Sequence, residues 1–303
     1  MRFPLGVFQR LKLIWFRQFK RRKLLNSLLK SSHAKDGKLS VFFTVDLEYN
    51  NFYPKTFEKY SYEGFGKIFD FVQKNKIPTT FFVEGRFAED NREDIIDISN
   101  KDHEVGSHGY EHINLGPHIW WGKHFVRSND FNSRKKSILK NHRILFNILK
   151  EYPQSFRSPY LSMDGVTLNI LDKAGYKIDS SLNNFFFGLP SIPYHPSRDD
   201  ILKVGNLDIL EFFITTFVSK DIFELDYQHI KFQNSNDFLK NIKIVEDCVR
   251  FSPYVVILTH SWEFNEAFYP NIDERIRLLS KFIFTMKKNY NAKFLKMKDV
   301  MNI

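Results

Sequence analysis

The chain has 303 residues, 43% of them hydrophobic, a formal net charge of +10 and a single cysteine, Cys248. That is ample apolar material for one large or two small cores, and it excludes an internal disulfide and a cysteine-based zinc cluster, so any metal has to be held by His, Asp and Glu. The charge excludes a basic groove across the body: residues 1–38 carry eleven Lys/Arg against one acid, Asp36, while the remaining 265 residues carry 34 of each sign. Polyanion binding is thereby confined to the tail, and a nucleic-acid partner is not expected.

In chain order, residues 1–38 come first, a basic N-terminal extension in which Phe8, Leu11, Trp15, Phe19, Leu25 and Leu28 alternate with the cations. Its apolar runs are cut by Lys12, Arg17 and Lys20, far short of the ~20 residues a membrane span needs and a poor signal-peptide core. A helical extension is expected, and two readings of it stand. It lies on anionic lipid with Lys/Arg among the headgroups and Trp/Phe/Leu below them, as a peripheral contact on the inner face of a membrane, or it is a solvated or partner-packed extension.

From residue 39 to 303 short apolar runs alternate with longer segments of helical period. Strands are expected at 40–45, 79–83, 103–107, 155–157, 176–178, 208–213, 255–259 and 292–295, and helices at 65–75, 92–101, 130–150, 164–174, 237–250 and 273–289. Asp164 is placed to cap the start of one helix, Gly175 to close its end and Asp237 to cap the next. Strand and helix in such repetition predict an α/β domain with a parallel sheet, closed into a barrel at this length. Residues 183–207, with Pro190, Pro193 and Pro196, break the rhythm as a long connection.

Ionisable residues follow five of these strands: Asp46 and Glu48, His108 and His112, Arg157, Asp179, and His260. In a parallel barrel those strand ends open onto one face, where barrel active sites are built. Two imidazoles and one carboxylate make a three-ligand set that leaves room for water and substrate, and His108, His112 and one acid of the Asp46-Leu47-Glu48 stretch fit it. The other acid is then available as general base toward a metal-activated water, His260 as proton donor to a leaving group, and Arg157 as the cation that holds the base ionised. Metal-assisted hydrolysis of an amide or ester is the chemistry this set supports.

The order TVDLE (44–48), FFVEGR (81–86), HEVGSHGYEH (103–112), FRSPY (156–160), GYKIDSSL (175–182) and LTHSWE (258–263) resembles the metal-dependent polysaccharide deacetylases, over about residues 39–300. The resemblance implies a distorted (β/α)7 barrel and removal of an N-acetyl, or less often O-acetyl, group from a sugar. It implies Asp46 as catalytic base, Glu48, His108 and His112 as metal ligands, and Arg157 as the residue that positions the base. It further implies Tyr160 as the source of a backbone N–H for the oxyanion, Leu258 as a wall of the acetyl-methyl pocket and His260 as general acid. Two departures stand out. Leu47 replaces the second of two adjacent aspartates found in many members, so Glu48 takes the ligand role. The usual Asp-x-x-Asp-Trp segment that supports the acid histidine has no copy, and Asp179 is the nearest candidate for that support.

Zinc is the default ion for this set, with nickel, cobalt or iron(II) as alternatives. Trp120, Trp121 and Trp262 lie near the motif loops and are candidates for stacking on sugar rings, against the commoner fate of an aromatic residue in a core. A cytoplasmic N-acetylated sugar or oligosaccharide, lipid-linked or nucleotide-linked and on its way to a surface polysaccharide, is the expected substrate. Two rivals are an amidohydrolase of cyclic amides or ureides on the same barrel, disfavoured by the intact histidine pair, and a non-catalytic sugar-binding relative, disfavoured by the presence of both Asp46 and His260.

Overall fold

The computed structural model describes residues 38–49, 54–117, 119–121, 124–182, 191–216, 230–250 and 252–303. The extension at 1–37, the first part of the long connection (183–190) and the side chains of Trp120 and Trp121 lie outside the described residues. In chain order, β1 (Ser40–Leu47) is followed by α1 (Thr56–Lys74), β2 (Thr80–Val83), α2 (Gly85–Asp90), α3 (Arg92–Asn100) and β3 (Glu104–Ser107). A small hairpin of β4 (Ile119–Trp121) and β5 (His124–Val126) leads to α4 (Phe131–Leu149), β6 (Ser155–Phe156), α5 (Gly165–Ala174), β7 (Ile178–Asp179) and β8 (Leu210–Glu211). Then come α6 (Ser235–Val249), β9 (Tyr254–His260), α7 (Ile272–Asn289) and β10 (Lys293–Leu295).

The large sheet is parallel throughout and runs β1–β2–β3–β6–β7–β8, with β9 and β10 also paired to β1. β9 follows β1 from Ser40 opposite Tyr254 to Asp46 opposite His260, whereas β10 meets only Ser40–Phe42 and β2 only Thr44–Leu47. Past β8 the chain reaches back to β9: the Thr215 N–H donates to Val256 O at 2.9 Å and the Val256 N–H to Thr215 Oγ1 at 2.8 Å. The eight parallel strands thus curl into a distorted barrel, and among the described residues these bonds join the chain after β8 to β9.

The period of two along each strand sorts side chains between inside and outside. On β1, Val41, Phe43, Val45 and Leu47 join the layer between sheet and helices, while Phe42 points into the barrel with Phe82, Ile178, Phe212, Ile214, Val256 and Leu258. Thr44, Asp46 and Glu48 continue the inward row of Phe42, and His260 continues that of Val256 and Leu258. The same alternation that packs the barrel therefore delivers its ionisable residues to one rim.

Helix ends follow local capping chemistry. Asp164 accepts from the Thr167 N–H at 3.0 Å, and Gly175 ends that helix at φ 88°, a left-handed position that glycine adopts without strain. The α6 cap is Asn234, not Asp237. Asp237 lies three residues in and accepts from the Asn234 N–H at 3.2 Å, the partner role in a capping box. α1 begins nine residues before the expected position of 65, because Gly64 and Gly66, which argue against helix by propensity, lie within it.

Gly64 has a packing reason: a Cβ there would lie 2.1 Å from the Ser261 carbonyl oxygen. Beside it, Ser61 Oγ donates to Glu48 O at 2.9 Å and accepts from Ser261 Oγ at 2.7 Å, so α1 grips both the end of β1 and the turn Ser261–Phe264 that follows β9. Gly64→Ala is expected to lower stability by about 1–3 kcal/mol through overpacking, seen as a drop in the thermal midpoint, and to displace the turn after His260.

Candidate active site

Glu48 has almost no exposed surface, and its Oε2 lies 3.1 Å from His108 Nε2 and 2.7 Å from His112 Nε2. His108 Nδ1 is 2.8 Å from the Arg157 carbonyl oxygen, which can only accept, so Nδ1 carries a proton and Nε2 is the atom turned toward Glu48. Burial works against ionisation of Glu48, but His112, His108 and His260 around it outweigh burial and hold the carboxyl well below the usual range. The three donor atoms lie within 4.8 Å of one another. Two nitrogens and one oxygen, all buried and one orientated by a backbone carbonyl, fit a zinc-type ion with open positions left over.

The two histidines reach this point through an irregular loop. Gly109, Glu111 and His112 all have positive φ (71°, 62° and 46°). Glu84, which has no exposed surface, fastens that loop: its carboxylate caps α2 through the Arg86 and Phe87 N–H groups and takes the Glu111 N–H at 2.6 Å. The sequence reading did not single out Glu84, although it stands within FFVEGR, directly before a helix start.

Asp46 lies one inward step from Glu48 along the same strand and receives Arg157 Nη1 at 2.8 Å. Arg157 is wholly buried. Its Nη1 also donates to Thr44 Oγ1 (2.7 Å), its Nε to Ser180 O (3.1 Å) and its Nη2 to Ser180 Oγ (3.1 Å), and its guanidinium lies 4.2 Å from the centre of the Phe82 ring. The second candidate cluster, Asp46, Glu48 and His260, shares Glu48 with the first.

His260 is where the expectation needs correcting. Its Nδ1 is 3.1 Å from Glu263 Oε1, and Glu263 is in turn bonded by Thr259 Oγ1 (2.8 Å) and by Arg275. Glu263, not Asp179, supports the imidazole. Asp179 is bonded to Ser181 and faces Glu211. The signal was present as a Glu three residues after His260 in LTHSWE. The short turn Ser261–Phe264 brings the two side chains to the same side of the chain. Loss of water disfavours a charged His260, yet the Glu263 hydrogen bond and the Glu48, Glu263 and Asp46 charges push its pKa up to about 9. Burial raises Glu263, but Arg275 and His260 bring it down to about 2.

The remaining predicted residues surround this centre. The Tyr160 ring packs edge-on against His112 with centroids 4.5 Å apart, on a backbone at φ 59°. Leu258 is buried in the barrel lining next to His260. Trp262 donates its indole N–H to Glu48 Oε1 at 3.2 Å and stacks on His260 at 4.9 Å. One side of its ring is thus already covered by protein, and the indole belongs to the wall of the site.

Residues 34–178 match the family model described as polysaccharide deacetylase. A peptidoglycan deacetylase of Helicobacter pylori is 27% identical over 119 residues, 39% of this chain and 37% of that protein. A peptidoglycan-N-acetylmuramic acid deacetylase of Bacillus subtilis is 29% identical over 97 residues, 31% of this chain and 33% of that protein. The matches thus span about a third of each curated relative's length. Among solved structures, a Mycobacterium smegmatis protein described as a polysaccharide deacetylase superposes with a TM-score of 0.62 at 19% identity, over 89% of this chain and 92% of that one. An allantoinase superposes with the same TM-score at 15% identity, over 89% and 91%. These likenesses establish the fold.

Glu263→Gln is expected to drop the His260 pKa from about 9 toward its ordinary 6.5, read by NMR titration of the imidazole. The raised histidine stabilises fully below about 6.5 and is lost as pH rises through about 9. The depressed acid contributes above about 4.5 and is lost as pH falls through about 2. The stability gap between wild type and variant should therefore be widest between about pH 4.5 and 6.5 in denaturant titrations.

Proposed function

With the chain a member of the polysaccharide deacetylase family, we propose that it is a metal-dependent hydrolase that removes an N-acetyl group from an amino sugar. The observation that carries this reading is the convergence, on one barrel rim, of the Glu48–His108–His112 set with an Arg157-bound Asp46 and a Glu263-bound His260. Glu48, His108 and His112 would hold the divalent ion, which when bound supplies Lewis-acid polarisation of the acetyl carbonyl and acidifies a water.

The chain's own groups account for the proton movements. Asp46, paired with and aimed by Arg157, takes a proton from the attacking water. His260 gives its Nδ1–H to Glu263, leaving Nε2 for proton transfer to the departing amine. Because Glu263 and the nearby carboxylates keep the imidazole protonated near neutrality, it starts as an acid while Asp46 starts as a base. The Tyr160 backbone N–H serves the oxyanion, and Leu258 walls the pocket for the acetyl methyl.

The names of the two curated relatives place peptidoglycan among the acetylated glycans to be tested. The finer reading is a lipid-linked or nucleotide-linked amino sugar met at the cytoplasmic face of a membrane, supported by the +10 charge concentrated in residues 1–38.

Elemental analysis of the wild-type protein is expected to find about one divalent ion per chain, and none in the His108→Ala/His112→Ala variant at matched circular dichroism. Asp46→Asn should keep the ion and lose roughly a hundredfold or more in deacetylation of N-acetylated oligosaccharides. Equal metal content in wild type and the double variant would overturn the ligand assignment. For the tail, co-sedimentation with anionic vesicles should fall on deletion of residues 1–38; unchanged binding would remove the membrane reading.

A further inference from the structure

Two carboxyl groups in the barrel wall have no part in the reaction above. Asp179 and Glu211 stand opposite each other in register on β7 and β8, with 0% and 1% of their surface exposed. Asp179 Oδ1 accepts from Ser181 Oγ, which accepts in turn from the Ser158 N–H at 2.8 Å, and Glu211 Oε1 accepts from the Leu182 N–H at 3.1 Å. Among the described residues no N–H or O–H reaches Asp179 Oδ2 or Glu211 Oε2, and the in-register pairing of β7 and β8 puts the two side chains on the same face, side by side. Two neighbouring buried carboxylates repel strongly, and one proton between them turns the repulsion into a hydrogen bond.

The charged and titratable groups around the pair are few. From the β6 side comes Arg157, whose charge acts on both acids. From the segment bridged to Glu211 comes Tyr194, whose hydroxyl donates to Ile201 O at 2.5 Å and which burial keeps protonated. The backbone that carries the pair also seats Arg157: Ser180, next to Asp179, takes two of its N–H groups, and Ser180 Oγ donates to the carbonyl of Phe212, next to Glu211, at 2.9 Å.

We propose that Asp179 and Glu211 hold one proton between them and, with the single negative charge left on the pair, act as positioning residues for Arg157 and through it for Asp46. The kinetic part of this proposal rests on the deacetylase reading; the proton-sharing part does not. Arg157 then has one negative charge in front of it, on Asp46, and one behind. A fully ionised pair would set two charges behind the guanidinium and draw it from Asp46. A fully protonated pair would leave the buried cation to Asp46 alone. Burial supports the singly protonated state at neutral pH: it pushes Asp179 up to about 6 and Glu211 well above the usual carboxylate range.

The test uses the full chain. The wild-type-minus-E211Q infrared difference spectrum, recorded in H2O and D2O at mildly alkaline pH, reads the C=O stretch of a protonated carboxylic acid. Glu48, Glu84, Glu104 and Glu263, the other buried glutamates among the described residues, are common to both proteins and cancel. The expected result is a deuterium-sensitive acid band in the difference, together with a drop in kcat of roughly tenfold or more in D179N/E211Q at unchanged KM and unchanged metal content, since a shift of the aimed group costs rate rather than binding. Absence of the band, or a double variant with wild-type kcat, overturns the proposal. If the double variant does not fold, the E211Q difference spectrum decides alone. An acid band in a protein that hydrolyses no acetylated sugar would uphold the shared proton while removing the deacetylase reading.

Discussion

A guanidinium with no exposed surface lies at the top of this barrel, and much of the rim is arranged around keeping it there. Taking a full charge out of water costs several kcal/mol, which is recovered only when the cation is paired and its donors are satisfied. Arg157 meets that demand with groups from four strands: Thr44 and Asp46 on β1, the Phe82 ring on β2, its own position just after β6, and Ser180 just after β7. Its backbone carbonyl meanwhile takes His108 Nδ1–H and so fixes the orientation of a candidate metal ligand. One residue thus sets the aim of the carboxylate through its side chain and the tautomer of the imidazole through its main chain.

Much of this was legible in the sequence because it depends on the period of a strand. Asp46 and Glu48 are two apart, so they face the same way, and Phe42 and Thr44 before them give the inward row its direction. The eight strands and most helices follow from the same periodic reasoning, sharpened by caps at Asp164 and Gly175. What periodicity could not supply was contact between irregular segments. Glu263 reaches His260 by way of a 3-10 turn, and Glu84 holds the histidine loop across a helix start; neither has a repeating pattern to betray it. The hairpin of β4 and β5 is too short for a periodic signal, and α1 contains two glycines that propensity counts against a helix.

The misplaced support for His260 shows a physical economy. The requirement is a carboxylate at Nδ1, and nothing fixes which element supplies it. Here it comes from the same motif as the histidine, three residues on, with Arg275 of α7 behind it. Asp179, relieved of that task, stands beside Arg157 and Glu211 instead. Asp46 and Glu263 are therefore each backed by a buried arginine from a different part of the chain.

The barrel's closure divides it mechanically. Between β1 and β9 lies a continuous ladder from Ser40 to Asp46, whereas among the described residues the chain after β8 meets β9 through hydrogen bonds between Thr215 and Val256. The apolar lining of Ile214, Val256 and Leu258 lies beside that second junction, while β1, which carries Asp46 and leads to Glu48, is paired along its length to its neighbours. The acids at Asp46 and Glu48 thus stand at the end of the longest strand pairing, where ångströms decide, and hydrocarbon lines the junction after β8, where only volume matters.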